Sequence, residues 1–138
     1  MIGILLISHG EFAQGMLASS HLFFGKDILQ IEALCLMPEE SPDTFGERLK
    51  NKINELNDGS GVVILCDLLF GTPCNQSASL LREDVKVICG ANMPLLLELL
   101  SQRNLQDENG QYLSLKNIDL NSLRTIGAEG VCNLEEKL

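Results

Sequence analysis

The sequence predicts an α/β protein built on a doubly wound, mainly parallel sheet with strand order 2-1-3-4. Three observations carry that reading. Residues 1–8 and 62–66 are nearly unbroken apolar runs, too short for ordinary helices and without polar alternation, so each reads as a strand buried on both faces. Segments with helical spacing separate the strands, and crossover helices are what cover both faces of a parallel sheet. Both runs stop at a polar residue with chemistry to offer: His9 after the first and Asp67 after the second.

At 138 residues the chain makes one domain, with 45% hydrophobic residues to fill a single core. Aromatics are only 4% and Trp is absent, which argues against a base-stacking platform and for an aliphatic core. Nineteen acidic residues against ten basic ones leave a formal charge of −9. That charge repels nucleic acid and anionic membranes and favours a basic protein partner. The start has no basic leader before an apolar segment, and no apolar run reaches the ~18 residues that span a bilayer, so the expectation is a cytoplasmic protein. Cys35, Cys66, Cys74, Cys89 and Cys132 are odd in number and include no Cys-x-x-Cys pair, so neither a disulfide framework nor a zinc ribbon is expected. Cys35, Cys66 and Cys89 read as small core residues, and neither metal nor cofactor is expected.

The remaining elements follow in order. Residues 11–25 place Phe12, Met16, Leu17 and Phe23 or Phe24 on one helical face, with Gly25 as the stop and His21 as a helical histidine without a chemical setting. Residues 28–37 form a second strand closed by Pro38. Ser41-Pro42-Asp43 is a helix start, with Phe45, Leu49, Ile53 and Leu56 following at helical spacing up to the turn at 57–61. After the third strand, Thr72-Pro73 opens a helix expected to run to Glu83, residues 85–89 form the fourth strand, and residues 94–103 a fourth helix. Residues 104–110 read as a flexible turn-rich stretch, 118–128 as a fifth helix, and 130–134 as a short final strand before an acidic tail.

In the order 2-1-3-4 the switch point lies between the first and third strands, the place where open parallel sheets bind ligands. His9 and Asp67 end those two strands. A carboxylate bonded to one imidazole nitrogen fixes the tautomer and raises the basicity of the other, which makes that nitrogen a nucleophile. Thr72 and Pro73 open a helix beside them, whose first-turn N–H groups suit a phosphoryl group. The combination points to phosphohistidine chemistry.

These residues also resemble a known family. The segment Asp67-Leu68-Leu69-Phe70-Gly71-Thr72-Pro73-Cys74-Asn75 is similar to the Asp-x-x-x-Gly-[Ser/Thr]-Pro-x-Asn segment of the mannose-family IIA component of the bacterial phosphoenolpyruvate:sugar phosphotransferase system. Ile7-Ser8-His9-Gly10 resembles its phosphorylation-site segment, residues 87–95 its Gly-x-Asn-x-Pro loop, and Gly127-Ala128-Glu129-Gly130 its C-terminal Gly-x-Glu-Gly. The resemblance covers essentially the whole chain and is weakest over 104–116.

It implies a single IIA phosphotransfer domain over 1–138. His9 accepts a phosphoryl group at Nε2 from the phosphocarrier HPr and passes it to a histidine of the IIB component, so that the membrane IIC and IID subunits are served indirectly. Asp67 orients His9, while Gly10, Gly71 and Thr72 surround the phosphoryl group. A homodimer is also implied, with the final antiparallel strand exchanged between subunits. The chain departs from the family at Phe70, where glycine is common, and at Cys74, where an aromatic is common. Two other readings are a phosphotransfer subunit of a dihydroxyacetone kinase and a non-enzymatic regulatory or ligand-binding α/β domain. The segment 71–75 disfavours the first, and the lack of G-x-G-x-x-G spacing in 10–15 disfavours the second.

Overall fold

The computed structural model describes residues 1–138. Its strands are β1 Gly3–His9, β2 Ile31–Leu36, β3 Val62–Cys66 and β4 Val85–Cys89. Its helices are α1 Phe12–Phe24, α2 Pro42–Leu56, α3 Thr72–Ala78, α4 Met93–Arg103 and α5 Leu120–Glu129. The strands form one parallel sheet in the order β2-β1-β3-β4, as the sequence predicts. Ile7 pairs with Cys66, so His9 and Asp67 leave the same end of neighbouring strands.

The apolar runs are continuous because each strand feeds two cores. Ile4, Leu6, Val63 and Leu65 point to the layer holding Ala13 and Met16 of α1, Leu95, Leu96 and Leu99 of α4, and Leu123 of α5. Leu5, Ile7, Ile64 and Cys66 point to the other, against Phe45, Leu49 and Ile53 of α2 and Cys74 of α3. Period-two alternation thus sorts one run into two layers, each buried side chain contributing about 1.5–3 kcal/mol of transfer free energy. At the opposite end of the sheet from His9, the buried Arg103 donates from Nη1 to the carbonyls of Ile2 (3.2 Å) and Gln30 (2.8 Å), tying α4 to the starts of β1 and β2. Burial pushes its guanidinium down to about 10.

Local signals set the helix starts. The Ser41 hydroxyl accepts from the Thr44 N–H, with Pro42 at the first helical position. The Asn92 side chain accepts from the Leu95 N–H at 3.0 Å and donates to the Gly127 carbonyl at 2.8 Å. A Cβ on Gly127 would stand 3.2 Å from that of Leu95, and one on Gly130 only 2.6 Å from Pro94 Cγ. The Gly-x-Asn-x-Pro-like loop and the Gly-x-Glu-Gly-like segment are therefore two halves of one α4–α5 joint.

Three expectations are corrected, and a fourth is filled in. α1 buries Ala13, Met16 and Ser20 and packs Leu17 and Phe24 against the same core, whereas Phe12 and Phe23 face outward, so of the expected face only Met16, Leu17 and Phe24 turn inward. α3 ends at Ala78 instead of Glu83; the Ser77 and Ser79 hydroxyls bond back to the Cys74 and Gln76 carbonyls, and the chain turns through i→i−3 bonds from Leu80 to Ser77 and Leu81 to Ala78. Residues 104–110 are turn-rich as expected, and the turn is organised by Asp107, whose carboxylate accepts from the N–H groups of Asn109 and Gln111 while Gln106 bridges Tyr112. The run 130–134 is not a strand in this single chain; it is exposed and leads into a 3-10 turn at Leu134–Lys137 capped by Asn133. A run this short makes no ladder without a neighbouring edge to pair with. No helix is long and apolar enough to cross a membrane.

Candidate functional site

β1 ends at His9, and Gly10 turns the chain away with φ +55°, the left-handed region that glycine enters without penalty. The Gly10 N–H is engaged with the Leu36 carbonyl at 2.7 Å, so its contribution is the turn itself. Ser8, fully buried, closes that turn: its hydroxyl donates to the Gly10 carbonyl (3.0 Å) and accepts from the Ala13 N–H (2.8 Å). Sequence reasoning gave Ser8 no task. The signal available was a hydroxyl placed next to a strand-end histidine and shortly before a helix.

Asp67 takes both polar hydrogens that His9 presents to it. Its Oδ2 accepts from the backbone N–H of His9 at 3.0 Å and from the ring Nδ1 at 2.8 Å. The imidazole is thereby held as the Nδ1–H tautomer, and Nε2 keeps a free lone pair. The histidine side chain is 46% exposed and the aspartate only 16%, which suits a reactive group presented on a protected support. Burial by itself raises the Asp67 carboxyl, but the two bonds from His9, its charge and the Cys66 thiol outweigh burial and hold it below the ordinary carboxylate range.

Gly71 comes against the other side of the ring. A Cβ there would stand 2.9 Å from His9 Nε2 and closer still to Cε1, so only glycine leaves the ring in place. Gly71→Ala is expected to displace the imidazole and lower any Nε2-dependent reaction about a hundredfold, the effect of an approximately ångström-scale misplacement. Urea unfolding should stay close to the parent, and an unchanged rate would show that the ring moves freely. Thr72 follows at the start of α3, whose first-turn N–H groups have no partner within the helix. The structure thus brings His9, Asp67, Gly71 and Thr72 to one place at the switch point; His21 lies elsewhere, in the last turn of α1.

Phe70 occupies the left-handed region at φ +64° and is 77% exposed. The Asn75 side chain steadies this conformation by donating to the Phe70 carbonyl at 3.2 Å. A non-glycine residue there is strained by about 1–2 kcal/mol. Phe70→Gly should therefore keep or raise the urea midpoint although it deletes an aromatic ring, whereas Phe70→Ala, which keeps the strain, should not raise it. A midpoint that falls with glycine would show that the ring itself stabilises the loop.

Behind the pair lie three cysteines whose proximity sequence reasoning missed. The Sγ atoms of Cys66, Cys74 and Cys89 are all within 4.8 Å of one another, and those of Cys74 and Cys89 are 3.5 Å apart. They come from the end of β3, the first turn of α3 and the end of β4, so no local spacing announced them.

Comparison with known proteins gives a consistent picture. Residues 3–114 match the family model described as the PTS system fructose IIA component. The chain is 31% identical over 137 residues to the fructose-specific EIIA component of Bacillus subtilis (strain 168), across 96% of this chain and 88% of that protein. It is 27% identical to the mannose-specific EIIAB component of Escherichia coli (strain K12), covering 99% of this chain but 40% of that longer protein. Among solved structures, the PTS IIA protein associated with the fucose utilization operon of Streptococcus pneumoniae superposes with a TM-score of 0.82 at 33% identity, over 98% of this chain and 94% of that one. The EIIA component from Streptococcus agalactiae superposes with a TM-score of 0.83 at 25% identity, over 99% of both chains.

Proposed function

Since the chain belongs to the mannose-type IIA family of sugar phosphotransferase systems, we propose that it carries phosphoryl groups on His9, taking them from phospho-HPr and passing them to a IIB component. The observation that carries this reading is the double hold of Asp67 Oδ2 on His9, which leaves Nε2 as the one free nitrogen of the ring. In the forward step the Nε2 lone pair attacks phosphorus, the N–P bond forms, and the donor's bond to phosphorus breaks with its electron pair returning to the donor. The Nδ1 proton stays between His9 and Asp67, whose charge offsets the positive ring of the phosphorylated histidine. Transfer to IIB reverses these bond changes. Positioning and charge stabilisation do nearly all the work in such transfers. Gly10 supplies the turn that presents the ring, Gly71 the space beside Nε2, and Thr72 a backbone N–H and hydroxyl for the phosphoryl oxygens.

Exposed Leu68, Leu69 and Phe70 beside His9 offer an apolar footing for the partner proteins. The formal charge of −9 adds long-range attraction for a basic one. A cytoplasmic location follows from these partners. Incubation with phosphoenolpyruvate, enzyme I and HPr should label this chain, and addition of its IIB partner should discharge it. A chain that takes no label from phospho-HPr contradicts the reading.

The same reading includes a homodimer. β4 is an edge strand, and Val131, Leu134 and Leu138 are 79%, 69% and 96% exposed. Pairing the C-terminal run with a neighbouring subunit's sheet covers both liabilities. Removing residues 130–138 should convert a dimer into monomer or aggregate with a lowered melting temperature. Sedimentation equilibrium showing an intact, equally stable dimer would assign the segment no part in assembly.

A further inference from the structure

We infer that Cys66, Cys74 and Cys89 form a binding site for a thiophilic divalent cation of the zinc class, seated directly behind the His9–Asp67 pair. The sequence, lacking any Cys-x-x-Cys spacing, points away from a metal; the fold supplies what spacing does not. Cys66 and Cys89 are register partners across β3 and β4, and the first turn of α3 lowers Cys74 onto them. Three sulfurs from three rigid elements thus converge without a flexible loop among them.

The distances fit a tetrahedral ion. With metal–sulfur bonds of ~2.3 Å, tetrahedral sulfurs stand ~3.8 Å apart. The Cys74–Cys89 pair stands at 3.5 Å and every pair lies within 4.8 Å, so shifts of less than about an ångström close the triangle. Three protein sulfurs leave the fourth tetrahedral position to a water.

The donor set suits the ion: three sulfurs are the soft ligands that a thiophilic divalent cation prefers, and binding displaces their protons. Three thiols and one aqueous divalent ion then give a tris-thiolate complex with a single net negative charge, and three protons go to the buffer. A monovalent ion would leave two buried charges, which is why the divalent class is assigned.

The test uses the full chain, reduced and stripped with chelator, and Cd(II) as the probe. One equivalent should bind with a near-ultraviolet thiolate charge-transfer band and should protect Cys66, Cys74 and Cys89 from alkylation, mapped by mass spectrometry, while Cys132 stays reactive. The band should be lost in Cys74→Ser and Cys89→Ser and retained in Cys132→Ser and Cys35→Ser. Protection mapping in the unaltered protein keeps the test valid if a serine variant fails to fold. Absence of the band, or protection confined to Cys132, overturns the site and marks the trio as core packing only.

Discussion

His9→Ala is expected to fold like the parent and to accept no phosphoryl group at all. The His9 side chain is 46% exposed and lies outside both cores, so its removal creates no cavity. What is lost structurally is one hydrogen bond to Asp67, about 1 kcal/mol, while the backbone N–H of residue 9 still reaches Oδ2. What is lost chemically is the whole nucleophile, and no other group at the switch point replaces it. His21→Ala should behave as the parent, because His21 is a helical residue with no carboxylate partner and no strand end behind it. Circular dichroism and uptake of label from phospho-HPr together check both variants. Label surviving in His9→Ala sinks the assignment.

Asp67→Asn should slow phosphoryl uptake by about two to four orders of magnitude, as expected when a partly buried orienting carboxylate can no longer fix the histidine tautomer. The amide keeps the size but can turn an N–H towards Nδ1, which places the ring proton on Nε2 and removes the lone pair that attacks phosphorus. Stability should respond to pH with a definite sign. The Asp67 carboxyl is held low in the folded chain, so its stabilisation is complete above the ordinary carboxylate range near ~3.9 and is lost as pH falls through the depressed folded value. The stability difference between parent and Asp67→Asn is therefore present near neutrality and shrinks below about pH 4. Denaturant unfolding at several pH values measures it. A difference that grows on acidification contradicts the hydrogen-bonding account.

Much of this was legible in the sequence, for identifiable reasons. Residues 1–8 and 62–66 read as doubly buried strands because alternate residues serve two cores: Leu5 and Ile7 face one, Ile4 and Leu6 the other. Parallel order then places the ends of the first and third strands side by side, so topology alone pairs His9 with Asp67. The illegible parts depend on contacts distant in sequence. The outward turn of Phe12 and Phe23 is decided by how α1 lies on β1 and β2, with Ala13, Met16 and Ser20 beneath it. The early end of α3 comes from serine hydroxyls returning to its own carbonyls, a competition that a count of apolar spacing does not see. The cysteine trio needs three elements to converge. The departures at Phe70 and Cys74 were visible as departures, but only the structure attaches a left-handed φ to the first and two neighbouring sulfurs to the second.

Phosphate placement on the unaltered chain tests the central claim most directly. The protein is charged with phospho-HPr at mildly alkaline pH and read by phosphorus NMR and by tandem mass spectrometry that preserves N–P bonds. Because Asp67 Oδ2 occupies Nδ1 and leaves Nε2 free, the account predicts one phosphoryl group per chain, on Nε2 of His9. A phosphoryl group on Nδ1 of His9, or on His21, would contradict it.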